Sequence, residues 1–175
     1  MLIVPFIANF ATESADFVRP IPHPRSYPIH RIHPVLTTGA IIEIYHAHEF
    51  QGIVLIERGK DPSGKALPGG KVEWGETVEQ AVRREMKEET NLELENLRQF
   101  HVYSDPQRDA RHHSVEVTYL AKAHAYPIAG DDAKTALVVK IEEIPWDELV
   151  FDHRQILKDY IAYRHGDKIL SMVIP

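Results

Sequence analysis

Three glutamates within five residues, Glu85, Glu88 and Glu89, are the side chains of this sequence whose types and spacing most directly indicate chemistry. On a helix, residues three or four positions apart are neighbours, roughly 5 to 6 Å apart, so these carboxylates would converge. With a rotation of 100° per residue, Glu85 and Glu89 fall inside the apolar arc of the helix and Glu88 lies at its edge. A glutamate-rich helix usually presents a solvated charged face, but this position favours a functional cluster.

Carboxylates grouped beside a core repel one another and lose hydration, which raises their pKa values unless cations are present. A hard divalent cation would offset both effects, and oxygen-only ligands favour Mg²⁺ or Mn²⁺ when phosphates and water complete the coordination shell. Zinc is less favoured, because it prefers histidine or cysteine, and the adjacent His112 and His113 would point to opposite faces of a strand. The glutamates therefore predict a magnesium or manganese site that accepts a phosphate-containing ligand.

A single helix over residues 77–91 is expected to carry these glutamates. Thr77 and Gln80 have the spacing of a capping box, and Asn91 suits the left-handed residue that ends a helix. Before this helix, residues 67–70 are expected to form a loop, in which the adjacent glycines Gly69 and Gly70 would permit unusual backbone angles. These signals place the acids on a well-defined helix that follows a glycine loop.

The rest of the domain is expected to combine short strands with a second helix. Apolar, β-branched runs predict strands at residues 38–45, 52–57, 98–103, 115–123 and 136–141, with residues 46–51 as a hairpin connection. An amphipathic pattern predicts a final helix over residues 152–164. Mixed strands with two helices indicate an α/β or α+β layered domain. The buried side of the final helix is expected to contain Ile156, Leu157, Tyr160 and Ile161.

The 175 residues are expected to form one domain preceded by a proline-rich arm. Prolines at positions 5, 20, 22, 24, 28 and 34 make residues 1–34, above all the cluster at 19–34, unsuited to a helix or a central strand. This arm would either pack on its own domain or exchange between the subunits of a dimer. The domain itself is assigned to residues 35–175.

Composition and charge argue against several classes of protein. A net charge of −6 disfavours broad nucleic-acid binding, which needs a basic surface to displace counterions from phosphates. No run approaches the roughly 20 apolar residues that span a bilayer, so no membrane association is expected. The absence of cysteine excludes disulfides and thiolate chemistry and fits a reducing cytoplasm. We therefore expect a cytoplasmic protein whose ligand is a small molecule.

The stretch that begins at Gly70, GKVEWGETVEQAVRREMKEETNL, resembles the Nudix box G-x5-E-x7-R-E-U-x-E-E-x-G-U, in which U is a bulky apolar residue. One position departs from the pattern, since Asn91 stands where the box has glycine. Asparagine is the next-best residue for a left-handed turn, so the backbone should be preserved. The resemblance extends over residues 35–164. The matching positions are Gly70, Glu76, Arg84, Glu85, Met86, Glu88, Glu89 and Leu92.

This resemblance implies a fold of the α/β class, a Nudix-type α/β/α sandwich with a mixed sheet between helices. In such a fold a loop, the helix and a second loop would present metal ions to a pyrophosphate. By the match to the box, Glu85 and Glu89 would be the principal metal ligands and Glu88 an additional ligand. The carbonyl of Gly69 would be a backbone ligand.

The same resemblance assigns structural roles to Gly70, Glu76 and Arg84, of which Glu76 and Arg84 would form an acid–arginine pair that orients the helix and its loop. The reaction would be metal-assisted hydrolysis, in which the ions neutralise the phosphates and lower the pKa of water, and a carboxylate accepts the proton. The candidate proton acceptors are Glu88, Glu89 and Asp132, which lies in a downstream loop.

A second segment indicates the substrate. Residues 104–111, SDPQRDAR, resemble the S-D-P-x-R-D-x-R segment of Nudix ADP-ribose pyrophosphatases. Arg108 and Arg111 would hold phosphate or terminal ribose through forked hydrogen bonds. Arg58, which ends a strand that also resembles the family, is a third candidate for substrate binding. The alternative is a surface loop with internal aspartate–arginine pairs.

These features favour hydrolysis of ADP-ribose, or of a close nucleoside diphosphate sugar, to AMP and a sugar phosphate. An enzymatic alternative is a nucleoside triphosphate pyrophosphohydrolase that acts on normal or oxidised nucleotides. An alternative of another class is a non-catalytic ADP-ribose-sensing domain, against which stand the intact set of acids and the few residues after position 164. The resemblance and the arm are also compatible with a homodimer.

Overall fold

The computed structural model describes residues 33–130 and 133–167. The arm predicted for residues 1–34 therefore lies almost wholly outside the described residues, and its boundary stays a prediction. The helices are α1 (Val78–Thr90), between the fourth and fifth strands, and α2 (His153–His165), which follows a short 3-10 turn at Ile141–Glu143. The strands are β1 (Val35–His46), β2 (Glu49–Arg58), β3 (Lys65–Ala66), β4 (Gly69–Lys71), β5 (Glu95–Tyr103), β6 (Ser114–Ala123) and β7 (Ala133–Val139).

Both predicted helices and all of the predicted strands are present, with ends that differ by a few residues. The hairpin predicted at residues 46–51 is tighter, because β1 and β2 continue towards each other and leave only Ala47 and His48 to turn. Both residues have positive φ, 49° and 68°, as in the two-residue turns whose twist matches that of paired strands. The last strand, β7, starts and ends earlier than predicted, and part of the predicted loop at 67–70 belongs to β4.

The two long strands β1 and β2 pair near their turn and then separate. From Glu43 to the turn they form an antiparallel hairpin, whereas further away β1 pairs with β4 and β2 pairs with β3. We call the space between the separated parts of β1 and β2 the fork. The connection between β3 and β4, formed by Leu67 and Pro68, lies in this fork, and the carbonyl of Pro68 accepts a hydrogen bond from Ala40 N–H at 3.1 Å. On its other edge β1 runs parallel to β6, so the sheet is mixed.

Alternation along β1 separates two apolar cores on opposite faces of the sheet. Ala40, Ile42 and Ile44 pack with α1, whereas Ile41 packs with α2, as expected from the two-residue period of a strand. The predicted α/β/α sandwich is therefore confirmed. In α2 the expected buried side is also present, since three of its four residues are fully buried and Ile161 is partly buried. In the described part of the chain, no helix has the length and apolar character that crossing a membrane requires.

Helix α1 has the two ends that its sequence predicts. Thr77 Oγ1 accepts from Gln80 N–H at 3.2 Å, and the Gln80 side chain accepts from Thr77 N–H at 2.8 Å, which completes the capping box. At the other end Asn91 adopts a left-handed conformation, with φ of 54°, and its N–H donates to Lys87 O at 3.0 Å. The chain then turns so that Leu92 enters the core beneath α1.

Helix α2 is tied to the sheet by a buried arginine rather than by a side-chain cap. Asp152 precedes the helix, but both of its carboxylate oxygens accept from Arg108, at 2.9 and 2.7 Å, and none caps the helix. The same guanidinium donates to Ser114 at 2.9 Å and to Glu116 at 2.8 Å, both on β6. The start of α2 is thereby held against the sheet, next to the fork.

Glu116 stays charged inside this network. Burial by itself raises the pKa of Glu116, but His153 and Arg108 beside the carboxylate outweigh burial and hold that pKa at about 2. A carboxyl whose pKa is lower in the folded than in the unfolded chain stabilises the fold above its unfolded pKa. That stabilisation is lost as the pH falls towards the folded value.

We expect substitutions of Asn91 to separate backbone geometry from side-chain identity. An Asn91→Gly variant should unfold at the same urea concentration as the wild type or a higher one, because glycine adopts positive φ without strain. An Asn91→Ala variant should lose about 1 kcal/mol of unfolding free energy relative to the glycine variant, because alanine is strained in this conformation. Equal midpoints for the alanine and glycine variants in urea denaturation would contradict this account.

We expect the unfolding free energy to fall as the pH is lowered from about 5 to about 2, and Glu116 to account for part of the fall. A Glu116→Gln variant should be less stable at neutral pH, because Arg108 loses a charged partner, and should show a flatter stability profile between these pH values. Urea denaturation at several pH values measures this. Glu143→Gln, at an exposed pair with Lys140, serves as the control, and parallel profiles for Glu116→Gln and the wild type would refute the assignment.

Candidate active site

A cavity of about 380 Å³ lies at the fork between β1 and β2. Its wall combines residues of β1, β2, β4, α1 and β6 with residues of the loop before β6 and of the start of α2. The wall contains the carboxylates of Glu85 and Glu89, which lie next to the two glycines of β4. It also contains arginines and one phenylalanine. Among the residues predicted for the site, those that line the cavity are Arg58, Gly69, Gly70, Glu85, Glu89, Arg108 and Arg111.

The two glycines allow α1 to approach the start of β4. The N–H of Gly69 donates to Glu89 Oε2 at 2.8 Å, and a Cβ on Gly69 would lie only 2.8 Å from Gly39 Cα. A Cβ on Gly70 would collide with the carboxylate of Glu85. Neither glycine has positive φ, so the expectation of unusual backbone angles was wrong. The glycines provide space, because backbone and carboxylates meet where a side chain would stand.

The three glutamates of α1 differ in exposure. The residue Glu89 is 8% exposed and the side chain of Glu85 is 14% exposed, whereas that of Glu88 is 46% exposed. Burial raises the pKa of Glu85, the neighbouring Glu88 and Glu76 raise it further, and Arg84 only partly opposes them. The expected raised pKa for acids on the apolar side of the helix is thus present at Glu85. Glu88 does not line the cavity in this conformation and lies at the edge of the cluster.

Arg84 connects the acids to the loop before α1. Its guanidinium donates to both carboxylate oxygens of Glu76, at 3.2 and 2.7 Å, so the expected pair is formed. It also donates to Glu85 at 2.8 Å, to Glu88 at 3.1 Å and to the carbonyl of Lys71 at 3.0 Å. Hydrogen bonds from Arg84 lower the pKa of Glu76. One arginine thereby joins the start of α1, the end of β4 and two acids of the cluster.

The side chains at this cluster fit a hard divalent ion, since the carboxylates of Glu85 and Glu89 lie beside the glycines of β4 and burial raises the pKa of Glu85 in spite of its pairing with Arg84. Within residues 33–130 and 133–167, however, no three acidic, histidine or cysteine side chains are arranged as a metal site. The reason lies in the hydrogen bonds, because Arg84 draws Glu85 and Glu88 towards itself and Glu89 is held by Gly69. Ion binding would require these side chains to exchange partners.

The predicted proton acceptor Asp132 lies outside the described residues. The chain before it passes over the end of α1, where Gly130 N–H donates to the carbonyl of Glu89 at 3.2 Å. A Cβ on Gly130 would overlap the carbonyl of Glu88. The described chain thus reaches the last turn of α1 two residues before Asp132.

The arginines of the cavity have different surroundings. Arg111 forms a forked pair with Asp109, at 3.0 and 2.8 Å, and its side chain is 40% exposed. Hydrogen bonds from Arg111 hold the pKa of Asp109 at about 2. The guanidinium groups of Arg58 and Arg111 lie 5.0 and 5.2 Å from the ring centre of Phe151, within the range of a cation–π contact. The side chain of Arg108 is only 3% exposed and is held by the buried Glu116 and the half-buried Asp152.

Several residues of the cavity wall were not singled out from the sequence. They include residues of β6, the residue before Asp152 and the first residue of α2. The φ of Phe151 is 57°, which is rare for a non-glycine residue and often found at functional sites. His112 lines the cavity, whereas its neighbour His113 does not. Among the residues that the sequence did not indicate are Ser114, Glu116, Phe151 and His153.

Known proteins resemble this chain over most of its length. An ADP-ribose pyrophosphatase of Methanocaldococcus jannaschii is 41% identical over 138 residues, which cover 77% of this chain and 78% of that protein. The NUDIX domain of Shewanella oneidensis NrtR, solved in complex with ADP ribose, superposes with a TM-score of 0.70 at 25% identity over 80% of this chain and 94% of that one. A MutT/nudix family protein from Enterococcus faecalis gives a TM-score of 0.66 at 30% identity, over 80% and 66%.

The family model of the NUDIX domain matches residues 36–162. This range includes the residues that line the cavity, all of α1, most of α2, and the stretch whose spacing resembles the Nudix box. It agrees closely with the extent that the sequence resemblance indicated, residues 35–164. The chain therefore belongs to the NUDIX family of hydrolases.

Proposed function

We propose that this chain hydrolyses the pyrophosphate bond of ADP-ribose, or of a closely related nucleoside diphosphate sugar, and releases AMP and a sugar phosphate. The observation that carries the proposal is that the glutamates Glu85 and Glu89 and the arginines Arg58, Arg108 and Arg111 line the same cavity. Such a cavity suits a ligand with a diphosphate between two polar groups. The 41% identity to a protein named ADP-ribose pyrophosphatase supports the same substrate class.

Nudix hydrolases generally use divalent metal ions, and Mg²⁺ or Mn²⁺ is the proposed cofactor here. Glu85 and Glu89 would be its principal ligands, with Glu88 and the carbonyl of Gly69 as further ligands. When bound, the ion would neutralise the diphosphate and lower the pKa of a water molecule. The raised pKa of Glu85, caused mainly by burial, supports this assignment, because a bound cation would stabilise the charged form of this carboxylate.

The protein's own residues would hold the acids of α1 beside the glycines of β4. Gly69 N–H fixes Glu89, and the absence of a Cβ on Gly70 leaves room for Glu85. The pair of Arg84 with Glu76 would act structurally by holding α1 against the end of β4. Small displacements of reacting groups reduce rates strongly, so such support contributes to catalysis without contacting substrate.

Arg58 and Arg111 are the proposed contacts for phosphate or terminal ribose. Arg111 is partly exposed in the cavity, and its pairing with Asp109 fixes the plane of its guanidinium. A pair of Arg111 with Asp109 is also expected for a surface loop without a role in binding. In the proposed function, this pair would orient the arginine towards the substrate. Arg108, the third predicted contact, is so deeply buried among acids that an indirect role, support of the cavity wall, fits its surroundings better.

The proton from the attacking water would pass to Glu88, Glu89 or Asp132, which are the proposed acceptors. Glu88 is the most exposed acid of the cluster, so it has the freedom to turn towards a bound ligand. A homodimer and a cytoplasmic location are proposed only on the family resemblance and on the composition of the chain.

A Glu89→Gln variant should lose turnover of ADP-ribose by orders of magnitude with little change in unfolding free energy. The amide oxygen of glutamine can still accept the hydrogen bond from Gly69 N–H, whereas the negative charge is lost. AMP release in Mg²⁺ measures the activity, and urea denaturation measures the stability. Glu93→Gln is the matched control, because Glu93 is exposed and pairs with Lys87 outside the cavity. Wild-type activity in the Glu89→Gln variant would contradict the proposed role of Glu89 as a metal ligand.

The substrate class is tested by turnover of ADP-ribose beside a panel of normal and oxidised nucleoside triphosphates, at equal concentrations in Mg²⁺. We expect a higher kcat/KM for ADP-ribose, with AMP and ribose phosphate as products. A preference for triphosphates would favour the pyrophosphohydrolase alternative. Tight binding of ADP-ribose without AMP release would favour a non-catalytic sensor.

A further inference from the structure

Three consecutive residues, the two of the β3–β4 connection and the first of β4, are held by three different elements of the fold. The carbonyl of Pro68 accepts from Ala40 N–H of β1, at 3.1 Å. Gly69 N–H donates to Glu89 of α1, at 2.8 Å. Leu67 N–H donates to Nδ1 of His153, the first residue of α2, at 2.9 Å. Because proline has no N–H, Leu67 and Gly69 supply the two backbone donors of these three residues.

Among these partners, Ala40 contributes only its backbone, and His153 is the side chain to which the proposed function assigns no role. It is buried, as is Leu67, so loss of the hydrogen bond would leave the Leu67 N–H without a partner away from water. The residues joined by this bond are 86 positions apart in the chain. The bond therefore couples the position of α2 to the backbone that continues into Gly69.

The other edge of the His153 ring faces Glu116. Since Nδ1 accepts a hydrogen bond, the ring proton of the neutral imidazole is on Nε2. Nε2 lies 3.9 Å from Glu116 Oε2. Glu116 is itself held by Arg108, which also binds Asp152, the neighbour of His153. The hydrogen bond from Leu67 thus assigns the tautomer of the imidazole, and its Nε2 side lies beside a network of charged side chains.

We propose that His153 is a positioning residue, which places the backbone of Gly69 against the acids of α1 by holding Leu67 N–H. This inference rests on the proposed function, in which Gly69 and Glu89 belong to the metal site. The contribution of His153 would be made through Nδ1 and the Leu67 backbone, and not by contact with the substrate, although the ring borders the cavity.

A matched pair of variants tests this role. In His153→Asn the side-chain oxygen can take the place of Nδ1, whereas in His153→Gln the polar group extends towards the position of Nε2. We expect the asparagine variant to keep kcat within about threefold of the wild type, and the glutamine variant to lose roughly ten- to a hundredfold in kcat with a smaller change in KM. Lys158→Gln, at an exposed position of α2, is the control and should match the wild type.

Amide hydrogen exchange at Leu67 provides a readout that needs neither substrate nor metal. Protection of this amide should fall about tenfold in the glutamine variant, as for the loss of one buried hydrogen bond, and should be retained in the asparagine variant. Equal protection in both variants, or an equal loss of kcat in both, would overturn the proposal. If the wild type releases no AMP from ADP-ribose, the proposed function fails, and the exchange data then decide the role of His153 alone.

A measurement on the wild type covers the case in which the glutamine variant does not fold. Nitrogen-15 spectra of the histidine rings report which nitrogen carries the proton. We expect His153 to carry it on Nε2, with Nδ1 as the acceptor. A proton on Nδ1 would be incompatible with a hydrogen bond from Leu67 N–H and would overturn the proposal.

Discussion

The close contact between helix α1 and the glycines of β4 is the interaction on which the arrangement of the cavity depends. Glu85 and Glu89 lie on the buried side of α1, where their charges would be strongly unfavourable without partners. Gly69 offers a backbone N–H to Glu89, and Gly70 leaves the space that the carboxylate of Glu85 occupies. Any side chain at position 70 would separate the helix from the strand, and the acids would lose their common place at the cavity.

The cavity itself results from the way in which the sheet divides. β1 and β2 begin as an ordinary hairpin, but β3 and β4 pair with them further on and hold them apart. The short connection at residues 67–68 therefore lies between two long strands instead of at the surface. Side chains from both strands, from α1 and from the start of α2 can then face a common space, which explains why residues distant in the chain form one site.

Charge within the domain is compensated locally. Although the net charge is −6, three arginines near the cavity each bind at least one acid. They differ in how far their side chains are exposed, and this difference suits them to different roles. Arg108 is enclosed by Asp152 and Glu116 and fastens α2 to the sheet. Arg111 is paired but partly exposed, which leaves it accessible to an anionic ligand. Arg84 binds acids of α1 and so holds in place the charges that an ion would otherwise attract.

The local parts of the structure could be predicted from the sequence, because they depend on neighbours within a few turns of chain. Both ends of α1, the buried placement of Glu85 and Glu89, and the pair of Glu76 with Arg84 all follow from spacing along one helix and its preceding loop. The layered fold follows from the alternation of apolar residues in strands and helices. The spacing of the Nudix box further restricted the fold to one family.

The tertiary structure alone decided which residues complete the cavity, because their contacts join segments far apart in the chain. Arg108 is buried and Arg111 is exposed, but the local sequence does not distinguish them. The two arginines are three positions apart, and an aspartate precedes each of them by two or three residues. The acids that enclose Arg108 come from β6 and from the residue before α2. The bond between Leu67 and His153 likewise spans 86 positions. Such pairings arise only when the sheet brings its strands together, so local propensity carries no signal for them.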